Sequence, residues 1–363
     1  MRAMDSAHQP AWAQVVLRSA LALALGFAPP GCRAAAAGSV APPGQPATGP
    51  GGADYLHQKA TAQRFGQGAD EYWLFTPDDP RPREAPLVIF LHGWGGTDPR
   101  SYGAWLEHIT RKGHIVVFPR YQTDLRTPVH ATAVNATRAI RSAVDRLARE
   151  GPVRPRADRW AWVGHSLGGM LAANLAAGSV GEGFPPPGML MSIEPGAPSL
   201  AFLDPLASMP ADALALVLVG DEDRIVTDEM ALLIYAQLAH LRPDNVDFIT
   251  VRSDYHSNPP LLANHFAPLA AAASFPPDAA YGGNTPGEGG LGGLAGGLGV
   301  RWRQQALRPN ALDFYGYWKL LDGLLDAAFR GEHREFALGG TVQQRFMGQF
   351  ADGVEVRPLI VQD

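Results

Sequence analysis

A serine bracketed by glycines, within the sequence Gly-His-Ser-Leu-Gly at residues 164–168, constrains the fold of this chain most strongly. Residues 160–163 before it are apolar and aromatic, and residues 169–177 after it are rich in strong helix formers. A serine between a strand and a helix must lie on a sharp turn, and glycines two residues away on each side avoid Cβ clashes there. The pattern therefore predicts a strand, a tight turn and a helix, with the Ser166 hydroxyl presented at the sheet edge as a candidate nucleophile.

Apolar segments of strand length alternate with segments of helical character along the chain. The predicted strands are residues 71–75, 85–91, 115–119, 160–163, 189–193, 213–219 and 246–252. The predicted helices are residues 100–112, 134–150, 169–177 and 310–329. An Asp-Gly pair within residues 350–356 is typical of a hairpin turn. Alternation of strands and helices predicts an α/β fold with a parallel sheet.

A glycine-rich loop follows the predicted strand 85–91, with the sequence His-Gly-Trp-Gly-Gly-Thr at residues 92–97. Its glycines allow the backbone to approach a ligand closely. If Ser166 attacks a carbonyl group, fixed backbone N–H groups are the usual stabilisers of the resulting oxyanion. The candidate donors are the backbone N–H groups of Leu167 and Trp94.

A nucleophilic serine needs a general base, and the base needs a carboxylate that orients it. The loop after strand 213–219 carries several acids, and we choose Asp223 because its Gly-x-x-Asp-x-x-Val spacing resembles the acid loop of serine hydrolases. Asp221 is the second candidate, and Glu194 after strand 189–193 is the third.

Two histidines follow the last predicted strand, at residues 246–252, and either satisfies the chain order Ser, Asp, His. His256 lies in the loop directly after the strand, from which it could reach Ser166, and it is our predicted base. Its rival is His265, in a stretch that looks helical, where a histidine could simply be packed or solvated.

These strands, the serine turn, the glycine-rich loop and the order Ser166, Asp223, His256 resemble the α/β-hydrolase superfamily, over about residues 70–270. The resemblance implies a doubly wound, mostly parallel sheet with helices on both faces and catalytic residues at the carboxyl ends of the strands. The aromatic residues before the serine weaken a true lipase assignment. The region after His256 is also long, because a glycine-rich insertion at residues 274–300 delays the final helix.

The amino terminus differs in kind from the rest of the chain. Residues 1–37 contain basic residues, a short apolar run and small residues suitable for cleavage, so they are predicted to be a secretory signal peptide. Residues 38–52 are predicted to be a flexible linker, and residues 53–363 the hydrolase domain. The expected location is secreted or periplasmic. The alternative is a membrane-anchored lipoprotein with the lipid on Cys32, the only cysteine.

Composition restricts the function classes. A formal net charge of −5 disfavours nucleic-acid binding, which needs a basic surface. No segment after the leader looks transmembrane, and no metal-ligand motif, P-loop or dinucleotide fingerprint is present, so no cofactor is expected.

The predicted function is cleavage of carboxylic esters of small molecules through a Ser-His-Asp triad and an acyl-enzyme. A peptidase or an acyltransferase would use the same triad. A non-catalytic binding protein on the same fold is a further alternative.

Overall fold

A nine-stranded sheet forms the centre of the protein, whose computed structural model describes residues 40–272 and 308–362. Its strands are β1 Lys59–Phe65, β2 Tyr72–Asp78, β3 Glu84–Leu91, β4 Ile115–Pro119, β5 Arg154–His165, β6 Met189–Ile193, β7 Leu214–Gly220, β8 Val246–Val251 and β9 Ile360–Gln362. They lie in the order β1-β2-β4-β3-β5-β6-β7-β8-β9. The pairings from β4 to β8 are parallel. The pairings β1–β2, β2–β4 and β8–β9 toward the edges are antiparallel.

Helices cover both faces of this sheet. They are α1 Gly103–Arg111, α2 Val129–Glu150, α3 Leu167–Gly178, α4 Glu229–Gln237, α5 Lys319–Arg330 and α6 Val342–Arg345, with a π-helical segment Leu312–Trp318 immediately before α5. No helix within residues 40–272 or 308–362 has the length and apolar character needed to cross a bilayer.

Alternating side chains of the central strands pack into two separate hydrophobic cores. In β3, Val88 and Phe90 face the core that contains α1 and α5. Leu87 and Ile89 face the core that contains α2, α3 and α4. This alternation follows from the two-residue period of a strand, and it explains why central strands read as uninterrupted apolar runs. The predicted fold class, a doubly wound and mostly parallel α/β sheet, is confirmed.

The edge strands β1 and β9 were not predicted from the sequence, and the reason is physical. β1 pairs on one side only and exposes much of its surface, so its sequence is polar and lacks an apolar run. β9 is three residues long. The Asp-Gly turn within residues 350–356 lies where predicted, between Gln349 and Glu355, which form an antiparallel bridge.

The segment predicted as a flexible linker packs against the body of the protein, so that prediction is corrected for residues 40–52. The buried Gly51 N–H donates to the Asp322 carboxylate on α5 at 2.8 Å. The same carboxylate oxygen lies 2.9 Å from Nε2 of the buried His108 on α1. The buried Asp322 carboxylate thus ties this segment to both helices. The predicted signal peptide, residues 1–37, and the insertion, residues 274–300, lie outside the described residues.

We expect Asp322→Asn to lower the free energy of unfolding by about 3 kcal/mol at pH 7, because it removes one partner of a buried pair. Burial opposes ionisation of Asp322, but the contact with His108, the charge of Lys112 and the Gly51 N–H together outweigh it, and the pKa of Asp322 lies below its ordinary value. The stabilisation is therefore present above the ordinary pKa of 3.8 and is lost as the pH falls through the lower folded value.

Denaturant unfolding at pH 7 and below pH 4 measures this effect. The matched control is Glu150→Gln, which removes an exposed pair with Arg146 on α2 and should change stability by less than about 0.5 kcal/mol. Equal effects of the two substitutions at pH 7 would contradict the role assigned to Asp322.

Candidate active site

Ser166 lies at the turn between β5 and α3 in a strained backbone conformation, with φ of 57° and ψ of −124°. A non-glycine residue at positive φ is uncommon and points to a functional constraint. The glycines around it are required by packing. A Cβ on Gly164 would overlap the Gly168 carbonyl, and one on Gly168 would overlap the Leu91 carbonyl at the end of β3. The turn therefore presses the start of α3 against the loop that follows β3.

His265 contacts the Ser166 hydroxyl. Its Nε2 lies 2.9 Å from Ser166 Oγ, and its Nδ1 lies 2.6 Å from Asp223 Oδ2. The other oxygen of Asp223 accepts hydrogen bonds from the backbone N–H groups of Ile225 and Val226 at 2.8 and 3.1 Å. Serine, imidazole and carboxylate thus form one continuous hydrogen-bonded chain in which the carboxylate is fixed by the backbone.

The prediction of His256 as the base is wrong, because its ring is engaged elsewhere. His256 Nε2 lies 2.7 Å from Asp352 Oδ2, and its ring packs on Phe350. The side chain is 36% exposed, whereas that of His265 is 2% exposed. His265, the rival in the sequence, occupies the position beside Ser166.

A closed loop explains why His265, rather than His256, lies beside Ser166. Asp254 and Leu261 exchange two backbone hydrogen bonds, of 2.7 and 2.8 Å, which seal residues 254–261 into an excursion that carries His256 outward. The chain then returns to the sheet, where the Ala263 carbonyl accepts from the Glu222 N–H at 3.0 Å. His265 follows in a turn rather than in the predicted helix.

The three candidate acids have separate environments. Asp223 faces His265, whereas the prediction paired this acid with His256. Asp221 accepts hydrogen bonds from the backbone N–H and hydroxyl of Ser253, at 2.8 and 2.7 Å, and so fixes the chain after β8. Glu194 is buried, with one oxygen 3.6 Å from His265 Nδ1. Asp223 is therefore the carboxylate positioned to orient the imidazole.

Hydrogen bonds donated by its backbone N–H groups hold the glycine-rich loop after β3. The Gly93 N–H donates to the Tyr102 hydroxyl at 3.0 Å, and the Gly95 N–H donates to Gln122 Oε1 at 2.9 Å. The Gly96 N–H donates to the Gly93 carbonyl at 2.8 Å. These bonds fix the loop that carries Trp94 beside the start of α3, where Leu167 follows the serine. The two predicted oxyanion donors therefore belong to neighbouring segments.

A chain of buried hydrogen bonds that the sequence did not reveal joins this loop to His265. The Tyr102 oxygen lies 2.8 Å from His165 Nδ1, and His165 Nε2 lies 2.9 Å from the His265 carbonyl. Burial holds the pKa of His165 well below its usual value. A neutral His165 can then donate from Nε2 and accept the Tyr102 proton at Nδ1. Nothing in the sequence distinguished Tyr102 from a core tyrosine.

Within the described residues, the only group with metal-ligand geometry is His165, Glu194 and His265. Both ring nitrogens of His265 already face Ser166 and Asp223. Binding a metal there would dismantle the chain of hydrogen bonds around the serine, so the donor set fits acid–base chemistry better than a metal centre.

The parallel sheet and the strained serine at its β5–α3 turn define an α/β-hydrolase fold, the class that the sequence resembles. More particularly, a family model described as Chlorophyllase matches residues 70–199, somewhat over a third of the chain. That match includes Trp94 and Ser166 and ends before Asp223 and His265.

A solved structure, carboxyl esterase 2 (TmelEST2) from the mycorrhizal fungus Tuber melanosporum, is similar with a TM-score of 0.43 and 16% sequence identity. The similarity covers 55% of this chain and 79% of that chain. No curated protein matches the chain in sequence.

Proposed function

We propose that this protein is a serine hydrolase that cleaves carboxylic esters of small molecules through an acyl-enzyme. The observation that carries the proposal is the hydrogen-bonded chain from Ser166 Oγ through His265 to Asp223, built on a strained turn. The family match to the Chlorophyllase model supports an ester rather than another substrate class.

In the proposed mechanism, Ser166 Oγ attacks the ester carbonyl while His265 Nε2 takes the hydroxyl proton. Asp223 holds the proton on Nδ1, so that Nε2 is free to act as the base, and it stabilises the imidazolium that forms. His265 then returns the proton to the leaving alcohol. A water molecule activated by the same nitrogen hydrolyses the acyl-enzyme and regenerates the Ser166 hydroxyl.

The oxyanion of each tetrahedral intermediate is proposed to bind the backbone N–H groups of Trp94 and Leu167. Their support is the close packing of the start of α3 against the loop after β3, which the required glycine at Gly168 permits. Donors that are fixed before the reaction need no reorganisation when charge develops, which is the property that such a site exploits.

Secretion or periplasmic export remains a prediction from residues 1–37. The alternative of a lipid on Cys32 rests on the same segment.

The proposal is tested with a p-nitrophenyl ester series from acetate to palmitate. We expect Ser166→Ala to lower kcat by about 10⁴-fold or more, because no other group can form the acyl-enzyme. The matched control is Ser142→Ala on the exposed face of α2, which should retain full activity. Equal rates for wild type and Ser166→Ala would overturn the proposal, and the chain-length profile of the wild type would size the acyl site.

A further inference from the structure

We propose that Glu194 is a reserve partner of the His265 imidazole, a positioning residue that takes over from Asp223 when that carboxylate is neutralised. This inference rests on the proposed function, because it assigns a second carboxyl group to the same serine site. Glu194 follows β6, one strand closer to Ser166 than the loop after β7 that carries Asp223.

The position of Glu194 carries the proposal. Its Oε2 lies 3.6 Å from His265 Nδ1 and 3.5 Å from His165 Nε2, and the residue is 1% exposed. Among the described residues, this oxygen has no hydrogen-bond partner. The other oxygen lies 3.3 Å from the Tyr317 hydroxyl, which donates to it. An unpartnered buried oxygen is costly and needs an explanation.

Glu194 Oε2 makes no hydrogen bond because it competes with Asp223 for a single N–H group. In the tautomer that leaves Nε2 free to act as the base, His265 Nδ1 carries a single proton, which is directed to Asp223 at 2.6 Å. Glu194 Oε2 lies farther from the same nitrogen, at 3.6 Å. A movement on the order of 1 Å would bring it within hydrogen-bond distance of Nδ1. Two carboxyl groups from adjacent strands therefore flank one side of the imidazole.

Backbone strain supports a functional reason for Glu194. Its φ is 45°, in the left-handed region that non-glycine residues rarely adopt. Its N–H donates to the Leu218 carbonyl of β7 at 2.7 Å, which holds the residue in that conformation. Strain of this kind persists where the surrounding structure enforces it, often at a functional site.

The charges around Glu194 keep its carboxyl group in reserve. Burial, and then the negative charge of Asp223, hold the pKa of Glu194 well above its usual range, while the Tyr317 hydrogen bond opposes them. The titratable groups that face it are His165 from β5, His265, Asp223, Tyr317 from the π-helical segment and Tyr102 before α1. In Asp223→Asn, the like charge disappears, so the pKa of Glu194 falls and ionised Glu194 becomes available to His265.

The test is a double-mutant cycle of wild type, Asp223→Asn, Glu194→Gln and the double variant. Two readouts are used between pH 5 and 10: ester hydrolysis, and the rate at which a fluorophosphonate probe labels Ser166. We expect Glu194→Gln to cost at least tenfold more in the Asp223→Asn background than in the wild type. The activity of Asp223→Asn should also rise along an additional alkaline limb, as Glu194 ionises, and the double variant should lack this limb.

The outcomes distinguish failure of the reserve role of Glu194 from failure of the proposed function. If the wild type is active and Glu194→Gln costs the same factor in both backgrounds, the reserve role is overturned and the proposed function stands. If the wild type neither hydrolyses esters nor reacts with the probe, the proposed function fails and the reserve role fails with it. Labelling of Ser166 without ester turnover would reject the substrate class alone, and the cycle would then be read from the labelling rates. Thermal unfolding of all four proteins checks that Glu194→Gln is tolerated, which is expected because glutamine has nearly the same shape as glutamate.

Discussion

Replacing His265 by alanine is expected to lower kcat/KM for ester hydrolysis by about 10³-fold or more, whereas His256→Ala retains most of the activity. The reason is geometric, since His265 Nε2 lies 2.9 Å from Ser166 Oγ while the His256 ring is bound to Asp352. Without an imidazole at this position, no group removes the serine proton or protonates the leaving alcohol. Steady-state kinetics with a p-nitrophenyl ester measure both variants.

The two histidine variants control one another. They belong to the same loop region, nine residues apart, and only one of them touches the serine. Loss of activity in His256→Ala with retention in His265→Ala would contradict the arrangement and restore the assignment made from the sequence. Denaturant midpoints are needed for both, because His265 is buried and its truncation removes packing as well as chemistry.

Elements with a local cause could be predicted from the sequence. The central strands are uninterrupted apolar runs because both faces are covered, and β6 was placed at residues 189–193, as found. The serine turn was predictable because its glycines are demanded by contacts within a few residues and with β3. Asp223 was predictable as the partner acid because its backbone N–H partners lie two and three residues away. For Asp223 and for the contact between Gly164 and Gly168, the sequence pattern and the physical constraint span the same short stretch.

Elements that depend on contacts between distant segments could not be predicted in this way. The order Ser, Asp, His fitted both histidines, and the choice between them depends on the bridge between Asp254 and Leu261. The cluster Ser-Asn-Pro-Pro at residues 257–260 is a turn signal that could have indicated this reversal of the chain. Segment 40–52 looked like a linker because its composition is flexible, but its order comes from a carboxylate on α5, far along the chain. The polar chain through Tyr102 likewise joins segments separated by many residues.

We expect Gly168→Ala to lower the free energy of unfolding by at least about 3 kcal/mol and to abolish most of the ester hydrolysis. The added Cβ would lie far inside van der Waals contact of the Leu91 and His92 carbonyl oxygens. These are backbone atoms of β3 and its loop, so they cannot move aside as a flexible side chain can. Relief of the overlap requires α3 to move away from the loop, which would separate the proposed oxyanion donors and shift Ser166 from His265.

Gly178→Ala, at the other end of α3, is the matched control for this prediction. A Cβ there has nothing within 4 Å, and alanine favours a helix over glycine by up to about 1 kcal/mol. This variant should therefore be as stable as the wild type or slightly more stable, with unchanged kinetics. Urea midpoints and kcat/KM of the two variants provide the comparison. If Gly168→Ala were as stable and as active as Gly178→Ala, the close approach of α3 to the loop after β3 would not be required, and the proposed oxyanion site would lose its structural basis.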